Sequence, residues 1–132
     1  MQEKIVKALE NAKNYIDASL EATKKSDEKA NHIWHAISEL EYALFLFSIT
    51  NQNYEVDKST WKLDTKTKQM SPEELLKTVL DFVENALENM ESKKLELAHR
   101  NTWMARGYLL TVQNELEKTR QQEKKKVGKE SK

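Results

Sequence analysis

The chain has 132 residues, with 22 Lys plus Arg against 22 Asp plus Glu and so no formal net charge. Two Gly, one Pro and no Cys exclude disulfides, zinc–thiolate sites and thiol nucleophiles, and leave too few turn residues for an all-β fold. No apolar run approaches the roughly 18 residues that span a bilayer. The opening MQEKIVKALENAK has no signal-peptide core, so the sequence reads as a cytoplasmic helical protein with no membrane partner.

In chain order, Ile5, Leu9, Ala12, Ile16, Ser19 and Thr23 recur at alternating spacings of four and three, which predicts a first helix over about 2–25. Ser26 and Asp27 are good N-caps. The next stripe, Ala30, Ile33, Ile37, Leu40, Leu44 and Phe47, predicts a second helix to Thr50. The short joint between the two makes them antiparallel neighbours.

Residues 51–70 are polar yet carry Tyr54, Val56, Trp61 and Leu63. They read either as a small hairpin of two alternating segments or as an irregular loop whose Trp61 docks on the bundle. Ser71-Pro72-Glu73-Glu74 is the clearest local signal: an N-cap, a proline at the first helical position and a capping-box glutamate. A third helix follows to about Glu91, with Leu75, Leu76, Val79, Leu80, Phe82, Val83, Ala86, Leu87 and Met90 as its apolar face. The fourth stripe is Leu95, Ala98, Thr102, Ala105, Leu109, Val112 and Leu116, out of phase with the third. The chain therefore either turns at 91–94 or continues as one phase-shifted helix, with the turn favoured.

Four such stripes predict an all-α fold, an antiparallel four-helix bundle with a long 51–70 connection between helices 2 and 3. The bundle domain is placed at 1–117. Residues 118–132 are expected as a basic tail that frays or is disordered. Residues 117–132 hold seven Lys or Arg against three Glu, a net of +4, so residues 1–116 carry −4.

Chemistry-bearing residues are sparse. His32, His35 and Glu39 share the second helix, and Glu96-x-x-His99 is a single copy of a motif that bundle metal sites use in pairs. Against the stripes these side chains point outward or to the flank, so they read as surface or interface residues. No metal, cofactor or catalytic residue is assigned. Gly107 and Gly128, the two glycines, form no phosphate loop.

The informative excess is apolar. Tyr42, Phe45 and Leu46 fall outside the second stripe, with Leu44 and Phe47 taken as seam, and Trp103, Gly107 and Leu110 form a second face on the fourth helix. A helix apolar on both sides is buried on both sides. Together with Trp61, these residues form a candidate interface. Its cover is the 51–70 loop, a second copy of the chain, or another protein or apolar ligand. Tyr15 and Trp34 are expected to fill the seam opposite its small members, the alternative being a polar-lined cavity between helices one and four. The sequence thus suggests a non-enzymatic helical interaction protein, a homo-oligomer such as a dimer or a small subunit of a larger assembly. An accessory nucleic-acid-binding subunit using Lys124, Lys125 and Lys126 is the alternative. A small enzyme or ligand binder with a site in the bundle cavity is a third.

Overall fold

The computed structural model describes residues 2–22, 26–50, 61–64 and 69–130; nothing is described of the side chains at 26, 27, 120 and 122–130. The fold is all-α: helices α1 (Gln2–Glu21), α2 (Ser26–Thr50), α3 (Pro72–Glu91) and α4 (Leu95–Glu130). No strand occurs among the described residues. The first half of the proposed hairpin lies outside them, and the described part of its second half, 61–64, has no regular structure.

α1 packs on α2 and α3, and α4 packs on the same two helices, so α1 and α4 occupy opposite corners of a four-helix square. Contacts along each side fix the directions. Tyr15 stacks on His35 and Ser19 Oγ reaches Lys29 O, so α1 and α2 are antiparallel. Lys13 meets Glu84 while Val6 lies near Met90, which opposes α1 and α3. Phe47 stacks on His99 and Glu41 meets Arg106, which opposes α2 and α4. Phe82 stacks on Tyr108 and Pro72 lies near Asn114, which opposes α3 and α4. Adjacent helices are therefore antiparallel, whereas α2 and α3, across the diagonal, run in the same direction.

That parallel pair explains the long connection. After α2 the chain must travel back along the whole bundle before α3 can begin, as in bundles with one crossover connection. The 20 residues of α3 span about 30 Å, far beyond a two- to eight-residue helix–helix loop. The described part of the crossover runs up α4. Trp61 meets His99 and Trp103, Leu63 lies on Gly107, and Asp64 N–H donates to Tyr108 Oη at 2.8 Å. From the level of His99–Trp103 to that of Tyr108 is about 10 Å along the helix. Three residues cover that distance only when extended.

The core follows the stripes closely in α1, where Ile5, Leu9, Ala12, Ile16 and Ser19 are all buried, and Ala8 joins them. Thr23 lies outside the described residues. In α2 the buried set is Ile33, Ala36, Ile37, Leu40, Ala43, Leu46 and Phe47, while Leu44 and Ala30 are only half-buried. Leu46 is thus corrected from the outer face to the core. It follows His35 by eleven residues, three helical turns along the flank that meets α1. Because α2 touches two helices, its buried arc is about twice as wide as one stripe. The same holds for α4, where His99, Met104 and Tyr108 join Ala98, Thr102, Ala105, Leu109 and Val112 in the interior.

The ends of α3 are set locally. Ser71 Oγ accepts from Glu74 N–H at 3.2 Å, and Pro72 occupies the first turn, where its missing N–H is harmless. At the other end the chain turns rather than continuing into α4. Lys94 N–H donates to Asn89 O (2.8 Å) and Lys93 N–H to Met90 O (3.1 Å), the paired bonds of a Schellman cap. The left-handed residue is Lys93, with φ 61°, where most such caps use glycine.

α4 runs to Glu130, through most of the segment read from the sequence as a basic tail. Leu116 and Glu117 face the start of α2, and Asn114 and Lys118 face Pro72. Roughly ten residues of α4, about 15 Å, therefore pass beyond the starts of α2 and α3.

Two substitutions test these ends. Lys93→Gly should stabilise the chain by about 0.5–1 kcal/mol, because a left-handed side chain costs about 1–2 kcal/mol and glycine returns part of that as unfolded-state entropy. Ser71→Ala should destabilise it by about 1 kcal/mol through loss of the cap. Urea midpoints should move in opposite directions with unchanged slope.

Candidate functional site

The titratable candidates do not converge. Glu96 is exposed, whereas His99, three residues on, is 1% exposed inside the bundle. Its ring is stacked on Phe47 (centroids 4.8 Å apart, planes 4° apart) and meets the edge of Trp61 at 5.0 Å. His99 is therefore core, not the flanking or surface residue that the stripe suggested. His35 lies between α1 and α2, stacked on Tyr15 at 5.0 Å and edge-on to Trp34 at 5.2 Å. Among the described residues no group of three or more His, Asp or Glu side chains could hold a metal ion. Thr102 Oγ1 donates to Ala98 O at 2.8 Å, and Ser19 Oγ to Lys29 O at 3.4 Å, so these seam hydroxyls bond to helix carbonyls.

The two off-seam apolar surfaces have different fates. The α4 surface is covered by the chain itself. Trp61 is only 7% exposed, and its ring lies 5.9 Å from that of half-buried Trp103. Leu63 sits directly over Gly107: a Cβ built there would lie 2.8 Å from both Leu63 methyl carbons. Gly107 has no positive φ, so what an added side chain would meet there is the end of the Leu63 side chain, which would have to shift, and not a backbone constraint. Leu110 is half-buried against the core. Of the predicted interface residues, Trp61, Trp103 and Gly107 thus meet one another, or their close neighbours, in an internal seal.

The α2 surface stays open. Tyr42 is 45% exposed and Phe45 59%. Two large side chains not assigned to this face from the sequence join them, Trp34 at 55% and Ile49 at 39%. Trp34 was expected in the seam; it points the other way, while Tyr15 is half-buried beside His35. At 100° per residue, Trp34, Ser38, Tyr42, Phe45 and Ile49 fall within an arc of about 80°. That arc lies opposite the buried face. In the sequence this face is a second periodic series, diluted by Ser38 and overlapped by the dense apolar run at 42–47. At its N-terminal end the stripe opens into a groove of about 590 Å³ formed by α2 and α4, with Trp34, Ala30 and Leu116 as apolar lining and Glu28 and Glu117 at its edge.

The charged group nearest the stripe's centre is held to a neighbour. Arg106 Nε and Nη2 both donate to Glu41 Oε1 at 3.3 Å, tying α2 to α4. Lys124, Lys125 and Lys126 belong to the helical extension of α4, and their side chains are outside the described set.

The chain matches no protein-family model, no curated protein and no solved structure. No helix among the described residues is long and apolar enough to cross a membrane.

The difference between the two surfaces is measurable as stability. Trp61→Ala should cost about 3–5 kcal/mol, the range for deleting a buried tryptophan. Phe45→Ala should stay within about 0.5 kcal/mol, as expected for a surface position. Chemical denaturation of both variants checks the contrast; equal losses would place Phe45 in the core.

Proposed function

We propose that the protein is a non-enzymatic interaction module whose working surface is the outer face of α2. The observation that carries this reading is the continuous exposed series Trp34, Tyr42, Phe45 and Ile49. Single exposed apolar residues are ordinary on any protein. Four large ones aligned on one helix, opposite the core, form the kind of contiguous patch that marks an interaction site. The rest of the bundle serves as a rigid support for that face. α2 is held from both sides by α1 and α4, and the Glu41–Arg106 pair adds an exposed cross-helix tie of up to about 1 kcal/mol.

Phe45→Glu supplies the test. In native extracts the unaltered chain should elute well above its 15.5 kDa monomer mass. The variant should elute as a monomer, with unchanged helical circular dichroism because the side chain is already in solvent. Identical elution of the two proteins would remove the α2 face from any functional role.

A second reading is supported by the continuity of α4. The helix reaches Glu130 and so carries most of the tail's cations. As an accessory nucleic-acid contact this extension would act by counterion release, blind to sequence and steeply weakened by salt. Changing Lys124, Lys125 and Lys126 together to Glu should abolish duplex binding at low ionic strength. Unchanged binding by gel shift would rule the tail out.

A further inference from the structure

We draw no further inference here: the strongest candidate, the exposed face of α2 at Trp34, Tyr42, Phe45 and Ile49 with the groove it opens into beside α4, is the surface already proposed to act, and nothing in the structure shows what covers it.

Discussion

The contact on which the bundle's connectivity depends is the seating of the crossover on α4. With α2 and α3 running the same way, the chain between them has to pass along the outside of the helices, and it needs anchorage there. Trp61 provides it by placing its ring against His99 and Trp103, and Leu63 adds a second fixed point on Gly107. Burying side chains of this size is worth about 1.5–3 kcal/mol each, and each aromatic pair adds about 0.5–1.5 kcal/mol. Those terms oppose the conformational entropy of ordering the crossover, about 1–2 kcal/mol per residue fixed. Only a short anchored stretch can be held this way, and Trp61 to Asp64 is one. The Asp64–Tyr108 hydrogen bond ends that stretch on a ring that itself stacks on Phe82, so the crossover is coupled to α3 through α4.

This anchorage accounts for two residues that look out of place in a helix. A glycine in a helix interior costs roughly 1 kcal/mol against alanine. At 107 the missing side chain lets Leu63 approach closely, and an alanine there would have to displace the leucine before its better helix propensity counted. A histidine with 1% exposure is unusual for so polar a ring. At 99 it is sandwiched by aromatic neighbours from two other segments, Phe47 of α2 and Trp61 of the crossover. The geometry is that of an aromatic core residue, while Glu96, three residues earlier, is exposed.

How much of this was legible in the sequence follows the range of the interactions. The four helices, the Ser71 cap and the α1 core depend on residues within a few turns of one another, and periodicity reports them well. The turn at 91–94 was harder, because its left-handed residue is Lys93 and not the glycine that usually marks such a cap. Leu46 and His99 were misplaced for a different reason. A single heptad stripe describes a helix with one neighbour, whereas α2 and α4 each contact two and bury a wider arc. The fate of Gly107 depended on Leu63, forty-four residues away, and no local pattern encodes that pairing. Trp34 and Ile49 are hard to assign from the sequence because the outer series on α2 is dilute, with Ser38 among its members, and overlaps the dense apolar run from Tyr42 to Phe47.

The two apolar surfaces then bear on function through their contrast. The α4 surface is continuous with the core, since Leu63, Trp103 and Leu110 pack against it, whereas Trp34, Tyr42, Phe45 and Ile49 are exposed. On α4 the described part of the crossover covers Trp103, and Leu63 approaches closely at Gly107. On α2 no such cover is present among the described residues, and the large side chains stand in solvent around an ion pair that supplies charge balance at the centre of the face. A chain able to seal one surface this closely has the means to seal another, and polar substitution on α2 would be simpler still. Trp34, Tyr42, Phe45 and Ile49 stand exposed along one side of a helix held from both flanks by α1 and α4, which is the observation on which the proposed interaction surface rests.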